Sequence, residues 1–191
     1  IENMTKACRG IYHGSDSLLG REAAHVVIDS RKAGPGDVFV AIKGERVDGH
    51  SFIPGVMEKG ALCAVSEQDL GETAFPYIQV ESTAQALLDI AKLYRDSFDV
   101  KVVGISGSVG KTSTRDMIGA VVASQYRTLK TEGNYNNDIG LPLTILRYRD
   151  EEAMVLEMGM NHLGEIDLLS RIANPDIALI TNVGTAHIGN L

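Results

Sequence analysis

The chain has 191 residues, 44% of them hydrophobic and 23% charged, with a net charge of -7. This is an ordinary globular composition, enough for one large domain or two small ones, and its acidic balance argues against a nucleic-acid partner, whose phosphates call for a basic surface. No apolar run nears the roughly 20 residues of a membrane-spanning helix, and Ile1 to Lys6 lacks the apolar stretch of a signal peptide.

Two segments are expected, 1–98 and 99–191. In the first, the turn signal Gly34-Pro35-Gly36-Asp37 precedes Val38 to Ile42, a short β-branched run that reads as a strand. Phe52, Val56 and Met57 follow at helical spacing and stop at Gly60. Leu62 to Val65 and Tyr77 to Val80 read as further strands. Thr83 to Phe98 is an amphipathic helix with Ala84, Leu87, Leu88, Ala91 and Tyr94 on its apolar face. In the second segment, Val100 to Ile105, Ala153 to Leu156 and Ile177 to Ile180 read as strands. They are separated by helices over about Thr112 to Ser124 and Leu163 to Ala173. Continuous apolar strands alternating with helices predict α/β architecture, with a parallel sheet covered on both faces. Cys8 and Cys63 have no paired spacing and belong to no His/Cys cluster, so two free thiols in a reducing cytoplasm are expected. A start at Ile1, and an end at Leu191 just past a strand-like run, suggest truncation at both ends.

Between the strand ending at Ile105 and the following helix lies Gly107-Ser108-Val109-Gly110-Lys111-Thr112-Ser113. A glycine turn that opens a helix aims several backbone N–H groups at one point, where the helix terminus adds partial positive charge. Glycines let a phosphate approach the backbone closely. Lys111 can bring a mobile charge to the β/γ-phosphates, and the Thr112 hydroxyl can ligate Mg²⁺. ATP is the expected ligand. The general phosphate loop has a glycine five residues before its second one; here that position is Ile105, so the loop is shorter at its start.

Glu157 follows an apolar strand and so stands at the carboxyl edge, where parallel sheets bind ligands. It suits a second Mg²⁺ ligand, although a strand-ending Glu is otherwise commonly a surface residue. His187, in Thr181 to His187, falls on the same edge, and a lone loop histidine is usually just solvated. Thr131 to Asp138 gathers amides around Gly133; a solvated turn explains this, with Asp138 capping a helix.

Set in order, Ile105 to Ser113, Glu132-Gly133-Asn134-Tyr135-Asn136-Asn137-Asp138-Ile139-Gly140-Leu141-Pro142, Leu156 to Ile166 and Thr181 to His187 resemble the Mur ligases, whose ATP loop has this shortened pattern. Asp29-Ser30-Arg31-Lys32, Pro35 to Ala41 and Asp48-Gly49-His50 are similar to that family's uridine-binding domain. The resemblance covers nearly the whole chain. It implies a small α/β uridine-binding domain followed by the start of a parallel-sheet phosphate-loop ATPase domain, from a cytoplasmic, monomeric ATP-dependent amide ligase of peptidoglycan synthesis. The Asn-rich and Glu-Met-Gly-Met blocks are similar to the branch that joins D-Ala-D-Ala to UDP-N-acetylmuramoyl-tripeptide by way of an acyl phosphate. The branch that adds a diamino acid, and a nucleotide-binding module that ligates nothing, are the alternatives.

By resemblance, Thr112, Glu157 and His187 are metal-site groups and Lys111 acts on the phosphates. Asn134 and Asn137 line the acyl-phosphate site, while Ser30, Arg31, Asp48, Gly49 and His50 hold the uridine end. The family also has a further portion of the central domain, often with a carbamylated lysine, and a third, Rossmann-like domain. The 191 residues carry neither and are expected not to turn over alone.

Overall fold

Val38-Phe39-Val40 and Cys63-Ala64-Val65-Ser66 are buried at every position, the pattern of parallel strands with cover on both faces. In the structure, a computed structural model that describes residues 1–44 and 46–184, they are β3 (Val38–Val40) and β4 (Cys63–Ser66) of a five-stranded sheet. Around them stand α1 (Glu2–Ala7), β1 (Ile11–His13), β2 (Val26–Val27), α2 (Ile53–Glu58), β5 (Tyr77–Gln79) and α3 (Thr83–Arg95). The strand order is β1-β5-β4-β3-β2, with β1 alone antiparallel to its neighbour. Phe39, Ala41, Ile53, Val56, Ala64 and Tyr77 form the core between sheet and α2. Gly60, at φ 91°, takes the left-handed conformation that ends α2.

The chain divides into compact units Ile1–Leu93 and Tyr94–Leu191. The division falls inside α3 because Tyr94 and Arg95 already bond to the second unit, Tyr94 through its hydroxyl to the Tyr148 carbonyl. The buried Arg95 guanidinium donates to the Ala173 carbonyl at 3.0 Å and the Phe98 carbonyl at 3.1 Å. The helix expected to reach Phe98 thus stops at Arg95, and Phe98 turns away to stack on Tyr148 with ring centroids 3.8 Å apart.

The second unit holds β6 (Lys101–Ser106), α4 (Lys111–Ala123), β7 (Thr128–Lys130), α5 (Gly140–Ile145), β8 (Ala153–Glu157), α6 (Glu165–Ala173) and β9 (Ile177–Ile180). Its sheet runs β7-β8-β6-β9, parallel throughout. α6 ends on Asn174 in the left-handed region, with Pro175 next. It begins at Glu165, later than the expected Leu163, which is 78% exposed. One expectation fails at β9: its four residues are exposed, Ile177 at 61% and Ile180 at 65%. Among the described residues it has a neighbouring strand on one side only. No helix among the described residues is long and apolar enough to cross a membrane.

Cys8 and Cys63 are free and buried, and burial pushes both thiols up to about 12. A raised folded-state value means that burying the neutral thiols stabilises the fold fully below the ordinary thiol value near 9, and that this contribution is lost as pH rises toward 12. The urea midpoint is therefore expected to fall from pH 9 to 11, and to fall less in Cys63→Ala. An equal fall in both proteins would contradict the linkage. Arg95→Leu strands buried carbonyls and is expected to cost about 3 kcal/mol in urea unfolding.

Candidate functional site

Register builds this site. β6 lies between β8 and β9, with Ile105 paired to Glu157 and Ser106 to Ile180. The turn leaving β6 therefore stands beside the end of β8 and the exit of β9, all on the carboxyl edge. The Ser106 hydroxyl donates to the Met158 carbonyl at 3.0 Å and ties the first two together.

Gly107 (φ 132°) and Gly110 (φ 84°) take conformations that side chains resist. A Cβ on Gly107 would also collide with the Thr181 side chain. Gly110 is the N-cap of α4 and offers no side-chain bond to the helix, so the first N–H groups of α4 remain available as donors at a positive helix end. The earlier donors are used internally. Asn182 Oδ1 accepts from Ser108 N–H at 3.1 Å and Val109 N–H at 3.0 Å, and Thr181 Oγ1 donates to the Val109 carbonyl at 2.6 Å. Lys111 folds over the loop, its Nζ donating to the Gly107 carbonyl at 2.6 Å.

Glu157 is not a surface residue. At 1% exposure its charge requires partners, and α4 and the Asn-rich turn supply them. Oε1 accepts from Asn136 Nδ2 at 2.7 Å and from the Thr112 hydroxyl at 3.4 Å. Oε2 accepts from Arg115 Nη1 at 3.2 Å. The backbone N–H of Glu157 donates to the buried Thr131 hydroxyl at 3.0 Å.

Mg²⁺ can be tested against this donor set. Two oxygens at right angles on an octahedral Mg²⁺ stand about 3 Å apart. Thr112 Oγ1 and Glu157 Oε1 are 3.4 Å apart, so they fit as neighbouring ligands after a small shift. Among the described residues there is no cluster of three or more His, Cys, Asp or Glu. Two protein oxygens, with waters and phosphates completing the shell, is the usual manner of Mg²⁺. His187 lies outside the described residues.

The Asn-rich turn is ordered differently from its reading. Asn134 is exposed and Ser113 faces solvent. Asp138 does not cap α5, whose N-cap is Ile139 without a side-chain bond; Asn137 Oδ1 accepts from Gly140 N–H at 2.8 Å where the helix begins. Asn136, rather than Asn134 or Asn137, is the amide that touches Glu157. Its carbonyl also accepts from Gly159 N–H at 2.7 Å, and a Cβ on Gly159 would crowd its side chain. Arg115 was also missed. Its signal was its spacing three residues after Thr112, the same face of the helix.

In the first unit, Ser30-Arg31, Asp48 to His50 and Glu67 follow the carboxyl ends of β2, β3 and β4. The exposed Arg31 guanidinium grips Asp29, with Nε–Oδ1 2.9 Å and Nη2–Oδ2 2.7 Å, and holds that carboxyl well below the usual range. The Ser30 carbonyl accepts from Lys59 Nζ at 2.8 Å. His50 is buried. Its Nε2 accepts from Glu67 N–H at 3.0 Å, so Nδ1 carries the proton that it donates to Asp48 Oδ1 at 2.6 Å. Glu67 in turn accepts from the Thr83 N–H at 2.9 Å. His50 is thus a brace for this loop. Gly49 is required at its position, since a Cβ would come within 2.6 Å of the Ile42 carbonyl.

A parallel sheet with a glycine turn, a lysine and a hydroxyl at its carboxyl edge defines an α/β protein of the phosphate-loop class. The Mur ligase middle domain matches residues 105–191, and the Mur ligase family catalytic domain matches residues 22–95. The chain belongs to the Mur ligase family. It is 47% identical over 169 residues to the UDP-N-acetylmuramoyl-tripeptide–D-alanyl-D-alanine ligase of Bacillus subtilis (strain 168), covering 87% of this chain and 37% of that relative. Among solved structures it resembles MurF from Acinetobacter baumannii, with TM-score 0.89 and 36% identity, over 99% of this chain and 42% of that one. It also resembles MurF ligase from Thermotoga maritima in complex with ADP, with TM-score 0.81 and 38% identity, over 92% and 40% of the two chains. The chain spans well under half the length of these relatives.

Gly107→Ala adds a clash at a strained φ and is expected to weaken ATP binding by tenfold or more in calorimetry. Binding within twofold of the parent would contradict the fit of the loop.

Proposed function

We propose that this chain is the nucleotide-binding part of an ATP-dependent amide ligase of peptidoglycan precursor synthesis, one that joins D-Ala-D-Ala to UDP-N-acetylmuramoyl-tripeptide. The observation that carries the reading is the uncapped start of α4 set beside a buried carboxylate, with Lys111 and Thr112 between them. The names of the 36–47% identical relatives supply the substrates.

A carboxylate is a poor acyl donor until an oxygen of it carries a good leaving group. The γ-phosphoryl group of ATP passes to the tripeptide's terminal carboxylate, giving an acyl phosphate and ADP. The amine of D-Ala-D-Ala then attacks the acyl carbon, the C–O bond to phosphate breaks, and the nitrogen gives up a proton. In this scheme the N–H groups opening α4 orient the phosphates. Lys111 exchanges its contact with the Gly107 carbonyl for the β/γ-phosphate oxygens and offsets the charge on the group in transfer. Mg²⁺, held by Thr112 and Glu157 with His187 as a further ligand, would supply additional charge neutralisation there. Asn134 and Asn137 are assigned to the acyl-phosphate side, and Asn136 holds Glu157 in place.

Residues 1–98 are assigned as the UDP-sugar-binding domain and 99–191 as part of the central ATP domain. Arg31 exchanges Asp29 for the diphosphate, while Asp48, Gly49 and His50 keep the adjoining loop in shape and Ser30 lines it. A cytoplasmic monomer fits substrates that are nucleotide-linked.

Calorimetry of the chain with UDP-N-acetylmuramoyl-tripeptide and, separately, ATP tests both halves. Lys111→Ala is expected to weaken ATP binding about 10- to 100-fold, the loss of one charge-assisted contact, and to leave the UDP-sugar unaffected; Arg31→Ala should do the reverse. ATP binding without any UDP-sugar binding would reject the ligase assignment and favour a plain nucleotide-binding module.

A further inference from the structure

Arg115 takes no part in the reading above, yet its guanidinium is 6% exposed and makes an ion pair with Glu157, itself 2% exposed at the side chain. Nη1 is shared between Glu157 Oε2 at 3.2 Å and the Gly133 carbonyl at 2.9 Å. Nε and Nη2 both reach Asp116 Oδ1, at 3.1 and 3.0 Å, and Asp116 also accepts Lys130 Nζ from β7 at 3.0 Å. The guanidinium is therefore fixed from three sides, its planar fork reaching Glu157, Gly133 and Asp116 at once.

The effect falls on which carboxylate oxygens of Glu157 remain open. Oε2 is covered by Arg115. Oε1 points to the Thr112 hydroxyl and is steadied by Asn136. A carboxylate held this way presents one oxygen. Mg²⁺ takes single oxygens in a strict octahedron at 2.0–2.1 Å, whereas Ca²⁺ is larger, takes six to eight oxygens and readily accepts both oxygens of one carboxylate.

We propose that Arg115 is a specificity-determining positioning residue: by covering Oε2 it makes Glu157 a one-oxygen ligand and so favours Mg²⁺ over Ca²⁺ at the phosphate loop. The idea rests on the reading of that loop as a metal–ATP site. Asp116 and Lys130, pairing beside it, hold the guanidinium rather than the metal.

ATP affinity of the full chain is measured at graded MgCl₂ or CaCl₂, giving a half-saturating concentration for each cation. Arg115→Met, which opens Oε2, is expected to narrow the Mg²⁺/Ca²⁺ preference at least fivefold, with metal-free ATP binding within twofold of the parent. Arg115→Lys, which keeps a cation against Oε2, should retain most of the preference. An unchanged preference in Arg115→Met, or an equal loss in the Met and Lys variants, overturns the proposal. Should the Met variant not fold, Arg115→Gln bears the same expectation and the same refutation. The underlying site reading fails separately, if neither cation alters ATP affinity in the parent chain or if Glu157→Gln leaves the cation effect intact.

Discussion

A single register decides what this protein can do: Ile105 on β6 opposite Glu157 on β8. Parallel pairing brings both strand ends to one edge, so the turn that opens α4 and the carboxylate that closes β8 meet without any loop having to reach. Burial then takes over. A carboxylate at 1% exposure must be matched by donors, and the donors come from α4 and the Asn-rich turn, while the Thr131 hydroxyl accepts the Glu157 backbone N–H.

This arrangement explains why a −7 chain can attract a polyanion. The field at the site is set locally, by helix-end N–H groups and Lys111, while Arg115 and Lys130 are matched by Glu157 and Asp116. Overall charge bears on solubility and long-range encounter; it has little authority within a cleft whose walls carry oriented dipoles.

Much of the fold was legible because it is written in local patterns. Val38 to Val40 and Val100 to Ile105 are too apolar and β-branched to be anything but covered strands, and Gly60 or Asn174 stop helices by their own backbone preference. β7 was missed because Thr128-Leu129-Lys130 has one apolar residue and takes its structure from pairing with β8. α5 carries a glycine and a proline in its first turn, so only the expected cap at Asp138 hinted at a helix, although Leu141 and Ile145 are fully buried. In the site, Lys111, Thr112 and Glu157 could be found from the strand–turn–helix order. The choice among Asn134, Asn136 and Asn137 could not, since which amide faces Glu157 depends on a turn held by the Gly159–Asn136 and Gly140–Asn137 bonds.

The bonds from residues 181–184 to the glycine turn have a consequence for how such a short loop keeps its shape. A longer loop can close upon itself; this one leans on a wall from the far end of β9, more than seventy residues later in the chain. Its geometry is therefore shared property. Anything that slides β9 along β6 would reshape the glycine turn without touching a glycine.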